Sequence, residues 1–174
     1  MRDVTSGATI WLTGLPSAGK TTLARALEKR FLEAGQRVEV LDGDVVRMYL
    51  TKDLGFTPDD RRENVRRIGF VADLLSRNGV VVLCPVIAPY RDSRDEVREL
   101  HGDRFIEVHV ATSVDECSKR DVKGLYAKQQ AGELSGLTGV DDPYEPPLNP
   151  EIVVQTEGRT LDETVENLWQ ALHD

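Results

Sequence analysis

The chain is poor in the residues that staple small folds or bind metals: two cysteines, Cys84 and Cys117, and three histidines among 174 residues. The cysteines lie far apart with no CxxC pair, and His101, His109 and His173 are scattered, so no zinc-ligand spacing is present. Both cysteines read as structural thiols of a reducing compartment. Long apolar runs are lacking too. The longest, over 80–88, contains Pro85 and is far too short to span a bilayer. The N-terminal MRDVTSGATIW lacks the basic-then-apolar design of a signal peptide. Basic charge is in deficit, 22 Lys and Arg against 30 Asp and Glu, for a net charge of −8. That balance argues against nucleic acid or an anionic membrane as the main partner. No repeat, coiled-coil heptad or DNA-reading motif is visible. These absences leave a cytoplasmic globular protein as the expectation.

What is present suits one domain spanning 1–174: 40% hydrophobic and 30% charged residues, enough for a substantial core. Short β-branched runs alternate with stretches of helical period, which predicts an α/β fold with a mainly parallel sheet. Strands are expected at 8–13, 38–41, 80–86, 105–110 and 152–155, the third apolar throughout as for a strand covered on both faces. A helix over 20–34 carries Leu23, Ala26, Leu27 and Phe31 on one face, and Gly35 ends it. A second over 59–78 faces Val65, Ile68, Val71, Ala72 and Leu75 inward, and a third runs over 91–101. Ser113 with Glu116 caps a helix to about Arg120. Thr160 with Glu163 caps a closing one that packs Leu161, Val165, Leu168 and Leu172 inward. The stretch 121–150, rich in Gly, Pro, Asp and Lys, breaks the alternation and reads as a lid rather than a passive loop.

The strongest single motif is GLPSAGKT, Gly14 to Thr21, placed between the first strand and the first helix. Its glycines let the backbone curl so that successive N–H groups of Leu15, Ser17, Ala18 and Gly19, around Pro16, face phosphate oxygens at a helix N-terminus. Lys20 can then reach the β- and γ-phosphates, the Thr21 hydroxyl can ligate Mg²⁺, and Thr22 closes the ATP-binding run.

Ligands of open α/β sheets sit at the carboxyl ends of the strands. LDGDVVR places Asp42 and Asp44 there, where one carboxylate can lie near the Mg²⁺ water shell and the other near an acceptor hydroxyl. An Asx turn or helix N-cap is the structural alternative for Asp-Gly-Asp. Arg47 follows, and then DLGFTPDDRRENVRR gathers Arg61, Arg62, Arg66 and Arg67 near a helix start. Such a group inside an acidic protein suggests an anionic ligand bound bidentately, with Arg62 reserved as a solvated surface residue. Phe56 precedes that helix, where it can stack on a base or serve as a hydrophobic staple.

The runs GLPSAGKTT, LDGDVVR, DLGFTPDDRRENVRR, IAPYRDSRD, RDVKGLYAKQQAGE and GLTGVDDPYEPPLNP, in this order over about 8–150, resemble the adenylylsulfate kinase family. The resemblance implies a P-loop kinase-type three-layer fold with a mainly parallel five-stranded sheet. It implies transfer of the γ-phosphate of ATP to the 3′-hydroxyl of adenosine 5′-phosphosulfate. By matched position, Lys20 and Thr21 would serve ATP and Mg²⁺, Asp44 would accept the proton, and Asp42 would order Mg²⁺-bound water. Arg47, Arg61 and Asn64 would hold the acceptor, Phe56 would stack on its adenine, Ile87 and Ala88 would line its pocket, and Lys123 would reach the transferring phosphates. Arg120 would lie against ATP. A homodimer and a separate ATP sulfurylase upstream are further implications.

Two positions depart from the family pattern. Ala88 stands where many relatives carry a serine able to accept phosphate, which excludes autophosphorylation there because Ala88 has no hydroxyl. Leu137 stands where the family usually has Phe as the second wall of an adenine clamp, which predicts weaker acceptor binding. A P-loop kinase acting on another nucleotide or a sugar acid, and a nucleotide-binding regulator without chemistry, are the competing readings.

Overall fold

A computed structural model describes residues 3–174. Five parallel strands, β1 (Ala8–Thr13), β2 (Val38–Val40), β3 (Val81–Pro85), β4 (Phe105–Val110) and β5 (Ile152–Val154), form one sheet in the order β2-β3-β1-β4-β5. The helices are α1 (Lys20–Glu33), α2 (Gly43–Tyr49), α3 (Pro58–Ser76), α4 (Arg91–His101), α5 (Val114–Arg120), α6 (Leu125–Gln130) and α7 (Leu161–His173).

Strand side chains alternate between faces, and this divides the core in two. Ile10, Leu12, Leu83 and Val108 pack with Leu23, Leu27 and Phe31 of α1 and with Val165, Leu168 and Leu172 of α7. Trp11, Val82 and Cys84 point the other way, onto Val65, Ile68 and Ala72 of α3 and Val97 of α4. Helices therefore cover both faces of a parallel sheet, the three-layer P-loop kinase arrangement. The chain builds β2 and β3 on one side of β1, then β4 and β5 on the other. The reversal opens a crevice at the carboxyl end of β1, where the Gly14–Thr21 loop begins.

The bounds of β1, α4 and β4 coincide with the sequence expectation, and both cysteines are buried and free. Gly35, at φ 75°, stops α1 as expected, its N–H bonding Leu32 O at 3.0 Å. Leu161 is a correction. It is 42% exposed, because as the first helical residue it precedes the turn that meets the sheet. Two helices were not expected: α2, which starts inside LDGDVVR, and α6, within the irregular 121–150 stretch. Among the described residues, no helix is long and apolar enough to cross a membrane.

Candidate active site

The Gly14–Thr21 loop has the backbone of an anion cradle. A Cβ on Gly14 would lie 2.7 Å from the Val110 carbonyl, so close approach to β4 requires glycine there. Ser17 at φ 63° and Gly19 at φ 106° turn the chain left-handed on either side of Ala18. Gly19 caps α1 with no side-chain bond, leaving the first N–H groups of a fourteen-residue helix free for a ligand. Lys20 is buried, its Nζ donates to Leu15 O at 2.6 Å, and burial pushes its pKa down to about 7. No carboxylate pairs with it among the described residues. A buried ammonium bonded to one carbonyl is suited to an anionic ligand. Thr21 and Thr22 are exposed on the first turn.

Several elements brace this loop from outside, drawing the Pro16 and Ala18 carbonyls away from the cradle. The Thr112 hydroxyl donates to Ala18 O at 2.8 Å and the Tyr126 hydroxyl to Pro16 O at 2.9 Å. The Val122 N–H donates to Ser17 Oγ at 3.1 Å, and Arg120 reaches Ala18 O at 3.4 Å. Farther along, Gly139 sits so close to Leu15 that a Cβ there would be 2.5 Å from Leu15 Cδ2. The start and the middle of the 121–150 stretch thus rest on the loop.

The acceptor side is built by α2 and the turn before α3. Asp42 follows β2 and caps α2, its Oδ1 accepting the Asp44 N–H at 2.9 Å, so the N-cap alternative is realised at Asp42. Asp44 faces outward, and its Oδ2 pairs with Lys123 Nζ at 2.6 Å. Two residues expected to meet at the transferring phosphoryl are therefore in direct contact. Arg47 donates to Gly55 O at 2.8 Å and stacks 4.3 Å above the Phe56 ring, which is 67% exposed. Arg61 donates to Phe56 O, Gly136 O and the Thr138 hydroxyl and pairs with Asp142 at 3.0 Å. Asn64 is buried with Oδ1 lacking any partner, an unspent acceptor beside this turn.

The proposed anion-binding group of arginines is corrected. Arg62 pairs with Asp92 at 3.1 Å and stacks on Tyr90, Arg66 pairs with Glu96, and Arg67 pairs with Asp53 and Glu63. Residues four apart share a helix face, so Arg62 and Arg66 both meet acids of α4, while Arg67 turns to Glu63 and to Asp53 of the preceding turn, and each charge is neutralised there. Only Arg61 turns toward the 136–142 stretch. Leu137 is 5% exposed within the core that holds Leu15 and Tyr126, so it presents little surface to a ligand in this arrangement.

Ile87 O accepts from the Thr13 hydroxyl at 2.5 Å, and Ala88 is buried with φ 44°. Sequence reasoning missed the side chains that hold this corner. Arg94 and Glu107 form a buried pair at 2.8 Å, although an arginine in a charged helix gives no signal of burial. Tyr126 and Tyr144 lie inside the KGLY and DPYE runs but were given no role there. A cleft of about 650 Å³ opens beside the loop, lined among others by Leu15, His109, Thr112, Gly139 and Tyr144.

Known proteins agree with this geometry. A family model described as adenylylsulphate kinase matches residues 6–155. The adenylyl-sulfate kinase of Rippkaea orientalis is 60% identical over 168 residues, covering 97% of this chain and 92% of that protein. That of Picosynechococcus is 53% identical over 166 residues, covering 95% and 93%. The solved APS kinase of Mycobacterium tuberculosis in complex with AMPPNP and APS superposes with a TM-score of 0.92 at 42% identity, covering 97% of this chain and 99% of that one. Cradle, carboxylate pair, arginine-flanked aromatic turn and family match converge: the chain belongs to the adenylylsulphate kinase family.

Proposed function

We propose that this protein transfers the γ-phosphoryl group of ATP to the 3′-hydroxyl of adenosine 5′-phosphosulfate, giving ADP and 3′-phosphoadenosine 5′-phosphosulfate. The observation that carries this reading is the 2.6 Å Lys123–Asp44 pair. It brings a cation of the 121–150 stretch onto a carboxylate at the carboxyl end of the sheet. Phosphoryl transfer needs positioning and charge neutralisation more than a strong base. Lys20, the loop N–H groups and Lys123 stabilise charge on the phosphoryl group, and Asp44 orients the acceptor hydroxyl and takes its proton late. Arg120 and the run from Gly14 to Thr22 hold ATP. Arg47, Arg61 and the amide N–H₂ of Asn64 hold the acceptor's phosphosulfate, Phe56 its adenine, and Ile87, Ala88 and Leu137 the pocket wall.

The residues present fit a nucleotide-borne Mg²⁺. No group of three or more His, Cys, Asp or Glu able to hold a metal occurs among the described residues. The exposed Thr21 hydroxyl would be its protein ligand, with Asp42 acting through water. When bound, the ion supplies charge neutralisation between the phosphates. In this reading the whole chain is one catalytic domain, with 121–150 as its lid. It works in the cytoplasm as a homodimer, with a separate sulfurylase supplying the acceptor.

The test is mass detection of a 3′-phosphorylated product from ATP and adenylylsulfate, with AMP and gluconate as competing acceptors. Phosphorylation of adenylylsulfate alone is expected. Preference for AMP or gluconate would overturn the acceptor assignment, and turnover of none would favour a binding protein.

A further inference from the structure

Arg94 is among the largest fully buried side chains of the molecule, at 2% exposure. Its Nε donates to Glu107 Oε1 at 2.8 Å, Nη1 to the Ala88 carbonyl at 2.5 Å and Nη2 to the Glu145 carbonyl at 2.5 Å. Glu107 neutralises the charge, but neutralisation does not explain the arginine, since a buried ion pair can be replaced by apolar residues with little loss. What a planar, forked guanidinium does, and a lysine cannot, is bridge several fixed acceptors at once. The two carbonyls belong to separate segments. One is the turn after β3 that carries Ile87 and Ala88, and the other is the end of the lid, where it returns to the sheet.

Other bonds cross the same seam. The Glu145 N–H donates to Pro89 O at 2.8 Å, and the Arg91 N–H donates to Glu145 Oε1 at 3.0 Å. Thr13 bonds Ile87 O on one side and meets the Tyr144 hydroxyl at 2.9 Å on the other. Arg94 lies at the centre, its guanidinium carbon 5.8 Å from the Tyr144 ring centroid. It is itself held from behind, because Arg98 pairs with the other Glu107 oxygen at 3.0 Å and Glu151 accepts the Glu107 N–H at 2.6 Å. The left-handed backbone of Ala88, φ 44°, persists because its carbonyl is fixed in this way.

We propose that Arg94 is a positioning residue for the acceptor. By tying the Ala88 turn to the lid's return, it fixes the relative placement of two pocket walls and so selects the phosphosulfate-bearing nucleotide. The inference rests on the functional reading above. None of the three Arg94 hydrogen bonds goes to the ATP loop, which is braced instead by Thr112, Arg120 and Tyr126. Loss of Arg94 therefore falls on one substrate and spares the other.

The experiment uses the full chain with Arg94→Lys, which keeps a cation for Glu107 but cannot span both carbonyls. A double variant, Arg94→Met with Glu107→Leu, leaves no buried charge unpaired and serves if the first fails to fold. KM for adenylylsulfate and for ATP, Kd for a fluorescent ATP analogue, and amide hydrogen exchange are compared with the parent protein. The acceptor KM is expected to rise about tenfold or more, as for a small misplacement of a reacting group, with nucleotide Kd within about twofold. The Glu145 amide is expected to exchange faster while amides of 14–21 do not change. Equal shifts in both substrates' constants, or no shift in either variant, would overturn the proposal. If the parent protein itself does not phosphorylate adenylylsulfate, the functional reading fails instead, and the exchange pattern alone decides whether Arg94 holds the seam.

Discussion

At the scale of single residues, the roles proposed for Asp44 and Arg61 separate chemistry from binding. Asp44 lies on the surface of α2 and contributes no core packing, so Asp44→Ala should leave the fold intact. A positioned general base contributes about 10²-fold or more, so kcat should fall by at least that much while acceptor affinity is largely kept. Arg61→Ala should instead raise acceptor KM about tenfold, since it removes a charge-assisted contact and loosens Gly136, Thr138 and Asp142 together. The reverse pattern in steady-state kinetics would exchange their roles. Leu137 poses a different balance. Phenylalanine there could gain roughly 1–3 kcal/mol of base stacking, but the site is buried, and overpacking costs a comparable amount. We expect Leu137→Phe to lower the acceptor Kd about fivefold at the expense of a few degrees of melting temperature. An unchanged or higher Kd by calorimetry would assign Leu137 to the core alone.

At the scale of elements, the proposed lid, 121–150, is the part that would have to move. Its Lys123 and Lys128 are exposed, and Asp121 caps α6 through both carboxylate oxygens, so the segment is locally ordered without being sheet-bound. Trypsin cleavage after Lys123 or Lys128 should slow roughly tenfold when a non-hydrolysable ATP analogue and acceptor are both present, as the closed form excludes the open one. Cleavage that ignores ligands would show the segment to be no lid. This stretch also shows what the sequence hid. Elements with a clear apolar period, such as α1, α3 and α7, were legible because burial repeats along them. The short helices α2 and α6 were not, since α2 buries one side chain, Val46, and α6 one, Tyr126. The cradle was legible because its chemistry is local to consecutive residues. The Arg94–Glu107 seam was not, because its partners come from the turn after β3, from β4 and from the 121–150 stretch, and a charged residue carries no mark of being buried.

At the scale of the whole molecule, the buried groups set an unusual dependence of stability on pH. Carboxylates held below their usual range, such as Glu151 and Glu163, contribute stability above the unfolded value of 4.5 that is lost as pH falls through it. His101 and His109, kept neutral by burial, weaken the fold as pH falls below 6.5, where the unfolded chain takes up protons. Lys20 extends the same trend upward. With its pKa pushed to about 7 in the fold against 10.5 unfolded, the unfolded chain binds the extra proton in between, so stability rises with pH across that window. The Cys84 and Cys117 thiols, raised by burial, reverse the slope above their unfolded value of 9.0. The nucleotide-free protein should therefore gain melting temperature from pH 7 to 9 and lose it beyond. An anionic triphosphate beside Lys20 restores its charge, so saturating ATP analogue should flatten the rise while lifting the whole curve. Lys20→Met should abolish the rise without any nucleotide. Scanning calorimetry of both proteins across this range checks the argument, and a parent curve that is flat or falling from pH 7 would mean that Lys20 stays charged in the empty loop.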